Sequence, residues 1–253
     1  MSGVPDPGLD VSPDLYGQEW ADEYDELEIT DPAETTVMVE VVASLAGPGP
    51  VLDVAAATGR LAIPLSQRGL RVVATDASPA MLARLRAKDP EGLVQTRLEV
   101  MPDIGGNEAF SLIAVLANSL WVLPKAEQQA AFLRAAAERL TSGGRLVVDQ
   151  YEINPAGYAG SREWYLNGVR FLRRSRYDPA AQRLVHQFTT VRPDGSVRVR
   201  NVHLRPMAVA ELMAEAGRAG LRLEHVWRNW WREPYTPGDP RVVTVFQPLA
   251  GAV

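Results

Sequence analysis

Val51-Leu52-Asp53-Val54-Ala55-Ala56-Ala57-Thr58-Gly59-Arg60, followed by Val72-Val73-Ala74-Thr75-Asp76, is the stretch on which the fold of this chain turns. A short apolar run carrying an acid meets a turn of small residues, closes on Thr58-Gly59 and enters a helical pattern through Leu61, Pro64 and Leu65. A second apolar run then ends on Asp76. That order predicts strand, turn, helix, strand. In such a unit small residues let the backbone approach a ligand, the helix start offers N–H groups with no intrahelical partner, and an acid ending the second strand can accept both ribose hydroxyls. A nucleoside-bearing cofactor is therefore expected.

The spacing separates two cofactor classes. A dinucleotide fingerprint needs Gly-x-Gly-x-x-Gly, and the corresponding positions are Ala55, Ala57 and Arg60, so nicotinamide binding is not expected. The stretch instead resembles motif I of class I S-adenosylmethionine-dependent methyltransferases, through Asp53, Thr58, Gly59 and Arg60. The resemblance continues through Thr75-Asp76-Ala77-Ser78-Pro79-Ala80-Met81-Leu82, Ala117-Asn118-Ser119-Leu120, Leu140-Thr141-Ser142-Gly143-Gly144-Arg145-Leu146 and Ala219-Gly220-Leu221-Arg222-Leu223. It covers the chain from Tyr16 onward and is similar to a version common in bacterial small-molecule pathways. The resemblance implies S-adenosylmethionine as cofactor, held among Tyr16, Trp20, Asp53, Ala55, Ala57, Gly59, Arg60, Asp76, Ala77, Met81, Met101 and Asn118. Two departures bear on affinity: Ala57 stands where the family usually has a glycine, and Val100 stands where a carboxylate usually receives the adenine amino group.

The 253 residues, 46% of them hydrophobic, suit one large α/β domain with an insertion. No apolar run approaches the roughly 18 residues of a membrane span, and Met1 to Asp14 lacks a basic segment followed by an apolar core, so a soluble, cytoplasmic protein is expected. With no cysteine and only three scattered histidines, neither a disulfide framework nor a metal site is expected. The net charge of −5 is unevenly spread: residues 1–40 hold twelve acids and no Lys or Arg, whereas residues 161–205 hold ten Arg against three acids. Those arginines alternate with apolar residues and lack both a stacking platform and a helix-turn-helix signature. They read as a solvated strand face balanced by the acidic N-terminus, with a substrate-attracting rim as the other possibility, and no nucleic acid partner is expected.

Residues 1–14, rich in Gly, Pro, Ser and Asp, are expected to form a mobile arm, and residues 15–253 the methyltransferase-like domain. Tyr16, Trp20, Tyr24 and Leu27 recur at helical spacing; their aromatic face either packs on the body or, as the resemblance implies, closes over cofactor and substrate. Asp31-Pro32 starts a helix, strands follow at Val51–Val54, Val72–Asp76, 93–100, 110–116 and 145–150, and Gly143-Gly144 is expected to end the helix of Phe132, Leu133, Ala136 and Leu140. The pattern predicts a doubly wound, mostly parallel seven-stranded sheet whose last two strands form an antiparallel hairpin. From Trp164 to Leu204 the period changes to two, which predicts an inserted antiparallel β cap of about three strands over residues 161–205.

Methyl transfer from a sulfonium is an in-line displacement that needs reactants held in register more than acid–base machinery. If the acceptor is a hydroxyl, a base is required, and His186, His203 and Tyr151 are the candidates; as lone residues in strands, the histidines also suit structural roles. Asn118 is either a contact to the methionyl portion or a turn residue. Trp227, Trp230, Trp231 and Tyr235 are candidates for an aromatic wall around an apolar ring, or for burial against the N-terminal helix. The expected activity is methyl transfer to an oxygen or nitrogen of a small, hydrophobic metabolite by a monomer or homodimer. The alternatives are a cyclase or other non-methylating enzyme on the same fold, and a binding protein.

Overall fold

The computed structural model describes residues 17, 20–27, 31–152 and 160–249; the expected arm over residues 1–14 and Tyr16 lie outside them. Helix α1 is the short Tyr24–Leu27. Helix α2 (Pro32–Leu45) starts where expected, because the Asp31 carboxylate accepts the Ala33 N–H at 2.9 Å and Pro32 has no N–H to leave unbonded. Strand β1 (Val51–Val54), α3 (Ala62–Gln67), β2 (Val72–Asp76), α4 (Pro79–Lys88), β3 (Val94–Leu98) and β4 (Phe110–Val115) follow. Then come α5 (Ala126–Arg139), β5 (Leu140–Tyr151), α6 (Val209–Arg218), β10 (Leu221–Trp227) and β11 (Arg241–Pro248), with the cap strands β6–β9 inserted between β5 and α6. The main sheet has seven strands in the order β10-β11-β5-β4-β1-β2-β3, in which β11 runs antiparallel to both its neighbours.

Strand alternation sorts the core into two layers. Leu52, Val54, Ile113, Val115, Leu146 and Val148 pack with Phe132 and Leu133 of α5 and Leu212 of α6. Their neighbours Val51, Val72, Ala74, Leu112, Ala114 and Val147 pack on the other face with Met38 and Val42 of α2, Leu65 of α3 and Leu85 of α4. Burial on both faces explains why the central strands read as continuous apolar runs. The carboxyl ends of β1 to β5 consequently share one edge, on which a ligand can be held.

Three expected boundaries differ. The glycine pair does not end α5: β5 begins at Leu140 and runs through Gly143-Gly144, and a Cβ on Gly144 would come within 2.9 Å of Phe110 O and 3.0 Å of Thr141 O. Glycine is required there by backbone packing beside a register shift, a reason that resembles a helix stop in sequence. The N-terminal segment is helical at Gly17 and Trp20 but turns at residues 21–23 before α1, so it is not one continuous helix. The cap has four strands, β6 (Gly160–Leu166), β7 (Val169–Asp178), β8 (Arg183–Val191) and β9 (Val197–Leu204), in an antiparallel meander. Register sets Ser175, His186 and Val202 side by side, and Arg173, Phe188 and Arg200 in the next row. This face is turned toward the main sheet, with Phe171, Leu184, Arg200 and Val202 buried, whereas Val197 and Val199 of the other face are exposed.

Candidate active site

The turn after β1 is held in a conformation its sequence does not favour. Ala55 and Ala57 have φ of 55° and 48°, in the left-handed region that suits glycine. The brace is Asp76, at the end of the neighbouring strand: its Oδ2 accepts the Ala57 N–H at 2.8 Å and its Oδ1 accepts the Ser78 N–H at 2.9 Å. Ser78 in turn caps α4, its Oγ accepting the Met81 N–H. Gly59 stands at φ 89°, also in the region that suits glycine. A Cβ there would meet Leu85 and Ile63 side chains at 2.8–2.9 Å, so this glycine serves helix packing. Asp53 is buried beneath the turn and accepts the Ala62 N–H at the start of α3; burial pushes its carboxyl up to about 7 against the opposing pull of the Arg60 charge.

A second turn of the same kind follows β4. Ala117 and Asn118 have φ of 53° and 62°. Asp149 of β5 accepts the Ala117 N–H through Oδ2 at 3.3 Å and the Asn118 N–H through its backbone carbonyl at 3.1 Å. Asn118 Oδ1 accepts the Tyr151 N–H at 2.6 Å, so its side-chain oxygen clips the turn to β5.

Between these turns and the cap lies a cavity of about 620 Å³. Asp53, Ala55, Ala57, Arg60, Asp76 and Ala77 line it from the first two strand ends, with Met81 and Met101 beside them. Asn118 and Tyr151 line it from β4 and β5, and His186 and His203 border it from the cap. Gly59 and Trp20 do not line it, and Tyr16 is outside the described residues. His186 lies on the inward cap face with Nδ1 2.8 Å from Ser175 Oγ, and burial, aided by the Arg173 charge, lowers it to about 4. Alternation puts the His203 side chain on the opposite face, where its Nδ1 lies 3.4 Å from Arg183 Nη2. The expected aromatic wall is elsewhere. Trp230 is buried in the α2–α3 layer, Trp227 stacks on His225 at 5.0 Å, Trp231 is half exposed, and Tyr235 donates to Glu152 at 3.0 Å.

Several site features escaped the sequence. Glu99 and Asp103 flank Val100 and line the cavity with it, so two acids stand beside this apolar position. Acids one and three residues from an exposed apolar position were the available signal. Trp20 packs edge-on to Phe188 with centroids 5.0 Å apart and lies under the Arg200 guanidinium. The buried Glu23 accepts from Arg192 and Arg198 at 2.9 Å and Arg200 at 2.7 Å; burial acts to raise its carboxyl, and the arginines outweigh it and hold it below the usual range. Asp25 accepts from Thr58 Oγ1 at 2.5 Å and pairs with Lys88 at 2.9 Å. The N-terminal segment thus ties the cap to the first turn, and the charge imbalance between residues 1–40 and 161–205 was its sequence trace.

A nucleoside-bearing sulfonium fits this arrangement. Asp76 faces the cavity as an acceptor, and Asp53 is a buried carboxylate that a ligand cation would stabilise. Residues 51–144 match the family model described as a methyltransferase domain. The structure is similar to that of the CcbJ methyltransferase from Streptomyces caelestis, with a TM-score of 0.83 and 30% sequence identity over 91% of this chain and 96% of that one. It is also similar to the sugar N-methyltransferase KedS8 from Streptoalloteichus sp., with a TM-score of 0.68 and 21% identity over 97% of this chain and 98% of that one. Among curated proteins, the cypemycin N-terminal methyltransferase of a Streptomyces species is 27% identical over 204 residues, 78% of this chain and 82% of the relative. The chain belongs to the class I S-adenosylmethionine-dependent methyltransferases. It is an enzyme that uses S-adenosylmethionine as its methyl donor. No helix among the described residues is long and apolar enough to cross a membrane.

Proposed function

We propose that the protein methylates a nitrogen atom of a small acceptor held between the cap and the main sheet. The observation that carries this reading is the setting of His186 on the inward cap face: its Nδ1 is 2.8 Å from Ser175 Oγ, and burial lowers it to about 4, which leaves it a poor proton acceptor at neutral pH. A hydroxyl acceptor needs a base at the moment of attack, whereas an amine can arrive already deprotonated. The word N-terminal in the name of the cypemycin relative points the same way.

S-adenosylmethionine, when bound, supplies a methyl group on a positively charged sulfur. The roles proposed for this chain follow from the geometry. Asp76 accepts the ribose hydroxyls, since its carboxylate ends β2 at the cavity wall beside the turn it braces. Asp53 takes the methionyl ammonium, directly or through water, and Asp103 or Glu99 takes the adenine amino group in place of position 100. Asn118 acts through the shape of its turn, because its side-chain oxygen already holds Tyr151. His186 and Tyr151 orient the acceptor, while Trp121, Leu123, Phe188 and Leu204 supply the apolar wall expected of the Trp227–Tyr235 cluster. Packing of Asp25 on Thr58 and of Glu23 on the cap arginines excludes water and completes the chamber.

The test is transfer of labelled methyl from S-adenosylmethionine to a panel of small aromatic amines and their matched alcohols. Methylation of amines, with alcohols inert, is expected. Transfer confined to alcohols would replace the nitrogen reading, and a protein that carries no label to either while binding the cofactor would remove the small-amine class.

A further inference from the structure

The Ala117-Asn118 turn is the part of the cavity wall least able to hold its own shape. Two successive residues that carry a Cβ stand in left-handed backbone, at φ 53° and 62°, which L side chains disfavour. Their amides are held by one residue, Asp149. That carboxylate is 1% exposed and would be costly to bury alone. Arg241 of β11 meets it side-on, with Nε to Oδ1 and Nη2 to Oδ2 both at 2.7 Å, and also pairs with Glu34 of α2. The guanidinium is thereby held well above its usual range: burial pulls it down, and the hydrogen bonds and charge of Asp149 and the charge of Glu34 outweigh that pull.

A buried ion pair of this kind is weak support for stability, because packed apolar side chains often serve as well. Nor do the strands need it for cohesion, since β5 and β11 are already joined over six residue pairs. What the pair adds is a carboxylate oxygen fixed beneath Ala117, on the side of the turn away from the cavity. A fork with two nitrogens fixes both the position and the tilt of that carboxylate, which a point charge would not.

We propose that Arg241 and Asp149 are positioning residues for methyl transfer: Arg241 fixes the Asp149 carboxylate, and Asp149 keeps Ala117-Asn118 in the left-handed form that shapes the donor end of the cavity. The inference rests on S-adenosylmethionine binding in this cavity, which the wild-type affinity for S-adenosylhomocysteine tests by itself.

Arg241→Gln and Arg241→Gln/Ala117→Gly are compared with wild type by calorimetric titration of S-adenosylhomocysteine, amide hydrogen exchange and thermal midpoint. Arg241→Gln is expected to weaken binding about tenfold, as for loss of one charge-held hydrogen bond. Exchange should quicken at residues 117 and 118 more than at Val148. Adding Ala117→Gly removes the cost of left-handed backbone, so affinity should return to within about threefold of wild type while the thermal midpoint regains only roughly 2 to 4 °C and stays below wild type. Unchanged affinity in Arg241→Gln, or a loss that follows the midpoint and is not regained with Ala117→Gly, would overturn the proposal. If Arg241→Gln does not fold, the nearly isosteric Asp149→Asn, with and without Ala117→Gly, is read by the same two outcomes.

Discussion

The turns after β1 and β4 solve one problem in two ways. Each puts residues with a Cβ into left-handed backbone at the ligand edge, and each is braced by an aspartate from the neighbouring parallel strand: Asp76 on the Ala57 N–H and Asp149 on the Ala117 N–H. Asp76 lines the cavity, so its carboxylate can serve turn and ligand together. Asp149 is buried and neutralised by Arg241, so it can only brace. An acid at a strand end is therefore not evidently a ligand contact; whether an arginine covers its outer side decides.

The comparison breaks most visibly at Asp76. Asp76→Ala removes two proposed charge-assisted bonds to ribose hydroxyls, about 1.5 to 3 kcal/mol each, and releases the Ala57 and Ser78 amides as well. A loss of S-adenosylhomocysteine affinity of at least about a hundredfold is expected, with a fall in thermal midpoint of a few degrees because both amides lose their acceptor. A lowered midpoint with unchanged titration would make Asp76 a brace of the Asp149 kind and nothing more.

Asp53 gives the next largest effect, through pH. Its folded value of about 7 lies above the 3.8 of an unperturbed aspartate. Its contribution to stability is therefore full below about pH 4 and lost as pH rises through about 7. A methionyl ammonium beside it favours the ionised form, so binding releases a proton below pH 7. Affinity for S-adenosylhomocysteine should rise by up to about tenfold per unit from pH 5 to 7 and level above it. Asp53→Asn should flatten the profile; a flat profile in the wild type would place the ammonium elsewhere.

How much of this was legible follows from what each feature depends on. The strand, turn, helix, strand unit, its acids at positions 53 and 76 and the helix start at Asp31 are local, so spacing alone revealed them. The cap's period of two was legible, but its first strand, whose Trp164 stacks on Phe171 of β7, was not, because that contact is made across a hairpin. Asp149 and Arg241 are 92 residues apart and meet only through the order of strands in the sheet, so no window of sequence shows them as a pair. The Trp227–Tyr235 cluster misled for the same reason: aromatic density is local, but the sheet carries it to the edge away from the cavity. Ala57 and Val100, the two departures that bear on affinity, stand beside the Asp76 brace and beside Glu99 and Asp103, neighbours that the motif alone does not show.

The smallest effect is the sharpest on the comparison itself, because it asks what the two alanine methyls do. Relief of left-handed backbone by glycine is worth about 1 kcal/mol at either site. The Ala57 methyl, however, belongs to the cluster of Trp20, Ala21 and Met81, whereas Ala117 is exposed. A buried methyl is worth about 0.8 kcal/mol, so relief and loss nearly cancel at Ala57 and do not at Ala117. Ala57→Gly should leave the thermal midpoint of the protein within about a degree of wild type, and Ala117→Gly should raise it by roughly 2 to 4 °C. Equal shifts would mean that the N-terminal segment does not rest on the first turn in solution. A fall at Ala117→Gly would mean that Asp149 already holds that turn without strain, and the two turns would then differ in more than the exposure of their acids.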